Sequence, residues 1–352
     1  MILLSLCLSF NLLQQPPAPP RPAETPVAPQ AAQPPRGVDR LQNDARAAGA
    51  LVTTALARAF VAAADGLPTV EPRSLYQHPA TRAWLTPEQA AALPESERAA
   101  LKPRVLDEEF YYTTRYGSPL AYARAIDLIG AREPWSRRTD LRGTRVMDFG
   151  CGGMGPVRLL AMMGADTVGV DVDPLLGALY SRPGDQGSIG QSGGVARLVI
   201  GQWPGDSEAA AAVGARFDLI LSKNTLKRGY IHPEREADPR TLVRLGVSDE
   251  RFVRSMYEAL KPGGLVMIYN LSPAPSKPDQ PYKPWADGRC PFDRPVLEAV
   301  GFEVLEFDRT DDAAARLLGK ALGWDAQGMD LENDLFAHWT LLRRPMNGAP
   351  AR

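Results

Sequence analysis

Cysteine and histidine are scarce in this chain. Three cysteines (Cys7, Cys151, Cys290) and three histidines (His78, His232, His338) are spread over 352 residues. No two cysteines stand at C-x-x-C spacing, which excludes a disulfide framework and a cysteine-based zinc site. No metal is expected. Charge of one sign is lacking too: 40 basic against 41 acidic residues leave a net −1, so no global basic field draws the chain to nucleic acid. The apolar stretch 2–13 falls short of the roughly 20 residues a membrane span requires. It has the character of a signal-peptide core, yet no Lys or Arg precedes it and no A-x-A site follows. Nine prolines crowd positions 14–36, which makes that stretch an extended tether without a core.

What the chain does hold is a dense run of punctuation at 144–174. Val146 and Met147 form a short apolar run that ends in Asp148. Gly150, Gly152, Gly153 and Gly155 follow, then a helical pattern that Gly164 stops. A second apolar run ends in Asp171, which lies 23 residues after Asp148. The order is strand, glycine turn, helix, strand. Glycines let backbone approach a ligand at a helix start, and an acid at the second strand end meets a ribose hydroxyl pair.

Gly150, Gly152 and Gly155 also fit the dinucleotide pattern G-x-G-x-x-G. Asp148 discriminates. A carboxylate at the mouth of the turn repels a pyrophosphate and favours a cationic amino group. At these residues the chain resembles the class I S-adenosylmethionine-dependent methyltransferases, whose first motif reads D-x-G-x-G-x-G. It departs where Met154 replaces the third glycine and Gly155 follows. The resemblance runs over about 120–344 and includes Leu260, Lys261, Pro262, Gly263 and Gly264 before an apolar strand. That turn is a glycine cap with a structural role.

The resemblance implies an α/β fold. It is a doubly wound, mostly parallel seven-stranded sheet with an antiparallel C-terminal edge strand, plus an N-terminal helical extension. Residues 1–36 are then the signal-like segment and proline-rich linker, 37–117 the helical extension or lid, 118–345 the catalytic domain, and 346–352 a disordered tail. One helix is expected over 37–66, from the spacing of Val38, Leu41, Ala45, Ala48, Leu51, Leu56 and Phe60. Thr86 and Gln89 form a capping box. Strands are expected at 195–201, 216–222, 265–270, 302–307 and 338–343.

The implied cofactor is S-adenosyl-L-methionine. Asp148, Gly150, Cys151, Gly152 and Gly153 would bind its methionine end, with Asp171 and Val172 on the ribose side. Gln202 and Trp203 take the positions that edge the adenine pocket. A core role for Trp203 is the alternative, and Cys151 also reads as a small packing residue. Ser222 and Asn224 end the fourth strand at the ligand edge. Tyr112, Arg115 and Tyr116 either reach the cofactor or pack the extension. For catalysis, Asn224, Tyr230 and His232 stand beyond the fourth strand, where open parallel sheets hold ligands, with His232 the natural base near neutral pH. Lys227 and Arg228 read as a solvated face.

The expected activity is methyl transfer to a small-molecule acceptor. Nucleic acid is not expected as a partner. Two other readings stand beside it: a non-catalytic protein that binds S-adenosylmethionine or S-adenosylhomocysteine, and an NAD(P)-dependent oxidoreductase. The cofactor points to the cytoplasm and the signal-like start to export or membrane association.

Overall fold

Continuous apolar runs along short strands dictate a sheet covered on both faces, and the computed structural model shows one. It describes residues 37–346 apart from Tyr116. The expectations for 1–36, for Tyr116 and for the tail beyond 346 lie outside the described residues.

The extension opens with α1 (Gly37–Gly49) and α2 (Ala55–Ala62). These are two helices where the apolar spacing predicts one. Two side chains make the break. Thr54 caps α2 by accepting from the Ala57 N–H, and the buried Asp127 carboxylate accepts from the N–H groups of Thr53 and Thr54 at 2.9 and 2.8 Å. Side chains thus satisfy backbone groups that a continuous helix would have paired within itself. Then come β1 (Arg73–Gln77), β2 (Trp84–Leu85), α3 (Pro87–Ala91), α4 (Glu95–Ala100) and β3 (Lys102–Leu106). The three strands form an antiparallel sheet in the order β2-β1-β3, so the extension is not purely helical. Thr86 and Gln89 make the expected capping box at α3. Helices α5 (Glu108–Thr113) and α6 (Ala123–Gly130) lead to the main sheet.

That sheet holds β4 (Arg145–Phe149), β5 (Asp166–Asp171), β6 (Gly187–Ile189), β7 (Gly194–Ile200), β8 (Phe217–Lys223), β9 (Leu260–Ser272), β10 (Glu303–Thr310) and β11 (Phe336–Arg343). Helices α7 (Met154–Met162), α8 (Pro174–Leu179), α9 (Ser207–Val213), α10 (Arg228–Ile231), α11 (Asp249–Ala259), α12 (Arg294–Val300), α13 (Asp312–Ala321) and α14 (Leu331–Asp334) connect them. The strand order is β10-β11-β9-β8-β4-β5-β7-β6. Strands β9, β8, β4, β5 and β7 run parallel. The expected doubly wound sheet is present, with one strand more, because β6 folds back antiparallel onto β7. The antiparallel C-terminal strand, β11, lies one place in from the edge, between β9 and β10.

Alternation decides the two cores. Val146, Leu219, Leu221, Leu265 and Met267 face one cluster with α6 and α7, while Met147, Val168, Ile220, Val266 and Ile268 face the other with α11 and α12. Buried charges knit the extension together and join it to the first core. Glu108 accepts from the Val38 and Val70 N–H groups, and Arg73 pairs with Asp185 at 2.7 Å with both side chains buried.

Candidate functional site

The carboxyl edge of β4, β5 and β8 gathers most of the residues singled out above. Strand β4 ends at Phe149, and the chain turns through Gly150 and Gly152 at φ +68° and +64°, a region that favours glycine. A Cβ on Gly150 would stand 2.2 Å from Thr225 Oγ1, so the loop after β8 lies directly on the turn. The Thr225 hydroxyl donates to the Gly150 carbonyl at 3.1 Å, and Thr114 from the extension donates to the Gly152 carbonyl at 2.7 Å. Gly153 passes against the Thr114 side chain. Cys151 is buried, and burial pushes its thiol well above the usual range, as suits a packing residue.

Met154 begins α7 and is fully buried. The small residue the pattern requires has moved one place on: a Cβ on Gly155 would lie 2.2 Å from the Tyr112 carbonyl oxygen. Here the glycine admits the extension's backbone. The N–H groups of Gly150 and Cys151 donate to Val170 O, and that of Gly152 to Asp171 Oδ2 at 2.8 Å. The turn's first three donors are therefore engaged within the protein.

Asp148 sits inside β4, fully buried, one residue earlier than a strand tip. Its Oδ1 accepts from the Tyr122 hydroxyl at 3.1 Å, and its Oδ2 has no hydrogen-bond partner. Burial pushes the carboxyl up to about 7, opposed by the Tyr122 hydrogen bond and the Lys223 charge. An unsatisfied carboxylate oxygen in an apolar interior is costly unless a cation or donor meets it. Asp171 accepts from Gly152 and, through Oδ1, from the Asp173 N–H at 3.0 Å. Burial raises its pKa and these backbone bonds lower it. A carboxylate has about four acceptor positions, so it can take a ligand hydroxyl as well. Val172, beside it, is an exposed apolar side chain at 66%.

Other expected residues are tied elsewhere. Trp203 is 4% exposed and meets Phe149 and Phe252 edge-on, which makes it a core residue and not a plate for adenine. Gln202 donates its amide to Arg244 O at 2.8 Å. Ser222 is buried and accepts from the Leu226 N–H. Asn224, at φ +62°, accepts from the Leu271 N–H at 2.7 Å and donates its own N–H to Tyr269 O, so it prolongs the β8–β9 pairing. Tyr112 is buried with its hydroxyl on Pro68 O, and Arg115 pairs with Asp173. His232 holds Asp249 at 2.7 Å near the surface. Tyr230 is half-buried, and burial raises its phenol. Among the described residues no hydrogen bond or ion pair joins His232 or Tyr230 to Asp148, Asp171 or the glycine turn. Nor do the described residues bring three or more His, Cys, Asp or Glu together where a metal ion could be held.

Two lysines take places in the interior that their sequence positions do not suggest. Lys223 ends β8, is 9% exposed and lies 5.5 Å from the centre of the Tyr122 ring. Burial lowers its ammonium to about 8, against the pull of Asp148. Lys227 is buried, not part of a solvated face. It donates to Leu271 O and to Trp285 O, and burial and the Lys223 charge lower it to about 7. The available signal was an ionisable residue closing an apolar strand at the ligand edge.

No family model matches the chain. A ubiquinone biosynthesis O-methyltransferase of Cereibacter sphaeroides is 32% identical over 133 residues, which is 38% of this chain and 43% of that protein. One from Azorhizobium caulinodans is 30% identical over 132 residues, 38% of this chain and 42% of that protein. The chain thus spans less than half the length of these curated relatives. Among solved structures, the [4+2]-cyclase SpnF aligns with 64% of this chain and 81% of its own at a TM-score of 0.38 and 17% identity. An S-adenosylmethionine-dependent methyltransferase from Mesorhizobium loti aligns with 64% of this chain and 98% of its own at 0.36 and 16%.

Proposed function

We propose that this chain is a class I S-adenosylmethionine-dependent methyltransferase that transfers a methyl group to a small-molecule acceptor. The observation that carries the reading is the unpartnered Oδ2 of Asp148, buried beside the glycine turn. An amino-acid ammonium satisfies it, and a pyrophosphate does not. Lys223, whose ammonium has no hydrogen-bond partner among the described residues, supplies the opposite charge for a carboxylate. Asp171 would take the ribose hydroxyls, and Val172 offers an apolar wall to the base. When bound, S-adenosylmethionine supplies an electrophilic methyl on a sulfonium.

The protein's part is to position the acceptor in line and exclude water. Thr114 and Thr225, which close over the turn, serve that exclusion. The pair His232–Asp249 has the form of a base with an orienting carboxylate, and we keep it, with Tyr230, as the acceptor-side candidate. Asn224 shapes the loop between them. The curated relatives are named O-methyltransferases, and on that ground an oxygen is the proposed acceptor atom.

Calorimetric titration of the full chain with S-adenosylmethionine, S-adenosylhomocysteine and NADH tests the reading. The first two should saturate and NADH should not. In Asp148→Asn, S-adenosylhomocysteine affinity should fall at least about tenfold, the size of one charge-assisted hydrogen bond. Binding of NADH alone would replace the reading with the oxidoreductase one. Binding with no methyl transferred to any oxygen, nitrogen or carbon acceptor would leave the non-catalytic member.

A further inference from the structure

A second cleft lies on the far side of Asp173 from the glycine turn, between the small antiparallel sheet and the start of α8. Its volume is about 520 Å³, within the range of small-molecule sites. Arg82, Lys102, Arg104 and Arg115 line it, against the single carboxylate of Asp173. Arg115 pairs with Asp173. Among the described residues Arg82, Lys102 and Arg104 have no ion-pair partner. Arg104 lies 5.9 Å from the centre of the Trp84 ring, which forms part of the wall.

Three cations without an ion-pair partner thus share one concavity, Arg104 also lying over the Phe110 ring at 4.9 Å. Like charges held together raise one another's energy, and concave walls focus the resulting field. An anion relieves it. A flat basic stripe would suit a polymer, but this cleft is a concavity, half open to solvent, with an aromatic wall, which suits a small ligand. We propose that the cleft binds a small organic anion, with a phosphate or carboxylate head on Arg82, Lys102 and Arg104 and an apolar body along Trp84. The ligand would sit next to the cofactor site, because the N–H of Asp173 donates to Asp171. The assignment stands on the cleft alone and does not depend on the methyltransferase reading.

Phenyl phosphate, phenylacetate and uncharged benzyl alcohol serve as probes, titrated into the full chain by calorimetry and tryptophan fluorescence. At least one anion should saturate a single site while benzyl alcohol stays silent. The double variant Arg82→Ala/Lys102→Ala changes two exposed side chains outside the proposed cofactor site. It should weaken the anion at least tenfold and leave S-adenosylhomocysteine binding and the circular dichroism spectrum unchanged. No saturable binding of either anion, or equal affinity in the double variant, would overturn the proposal. Failure of the parent to bind S-adenosylhomocysteine would remove the methyltransferase reading and leave the cleft assignment intact.

Discussion

At the scale of single residues, the buried Asp148 is the group that makes stability, and the proposed cofactor binding, depend on pH. Its folded pKa, about 7, lies above the ordinary 3.8. The unfolded chain therefore binds fewer protons between those values, and this one group makes the unliganded protein less stable as pH rises from about 4 to about 7. On the proposed reading cofactor binding runs the other way, because an ammonium needs the ionised carboxylate. The ionised fraction rises roughly tenfold between pH 6 and pH 8, so the apparent S-adenosylhomocysteine affinity should rise about tenfold over that interval. Titrations at the two pH values check this, and Asp148→Asn should flatten the profile. A flat profile in the parent would show that Asp148 does not meet the ammonium. Gly155 offers a purely steric case. A methyl placed 2.2 Å from the Tyr112 carbonyl must move α5 or α7. Gly155→Ala should cost about 1–3 kcal/mol by denaturant unfolding, the usual range for overpacking.

At the scale of elements, what could be read from the sequence was what repeats in it. The parallel strands announce themselves as apolar runs and the helices as 3.6-residue spacing, so β4, β5, β7, β8 and α7 fall where these patterns place them. The misses share a cause: the deciding contact lies far along the chain. Asp127 breaks the first helix from more than 70 residues away. The strands β1, β2, β3 and β6 are two to five residues long, too short to show a period. Trp203 reads equally as an adenine plate or a core residue and Lys227 as a solvated face, and packing decides both as buried. The site divides in the same way. Motif residues Asp148, Gly150 and Asp171 were legible, while Tyr122 and Lys223, which give Asp148 its electrostatics, came together only on folding. The extension is held by the buried Arg73–Asp185 pair, with the Tyr111 hydroxyl also donating to Asp185 at 2.9 Å. Removing one partner strands a buried charge, so Asp185→Ala should cost about 3–5 kcal/mol by chemical denaturation. A loss below about 1 kcal/mol would mark the pair as dispensable.

At the scale of the whole molecule, the extension and the sheet share one core and should unfold together. Val38, Leu56, Phe60 and Leu75 of the extension belong to the same buried cluster as Val146, Leu219 and Met267 of the sheet. The glycine turn is gripped from the extension by Thr114 and from the sheet by Thr225. A ligand on that turn therefore stabilises both parts. At a hundredfold excess over its Kd, S-adenosylhomocysteine should add about 2.7 kcal/mol to the folded state. Native-state hydrogen exchange resolves where that stabilisation appears. If the two parts form one cooperative unit, the slowest amides of α2 and of β4 should gain protection by the same factor when ligand is added. Protection confined to β4, with α2 exchanging as before, would instead make the extension a separately opening layer. The buried charges of Arg73 and Asp127 argue against that outcome, because opening the extension alone would break both anchors before any part of the sheet had yielded.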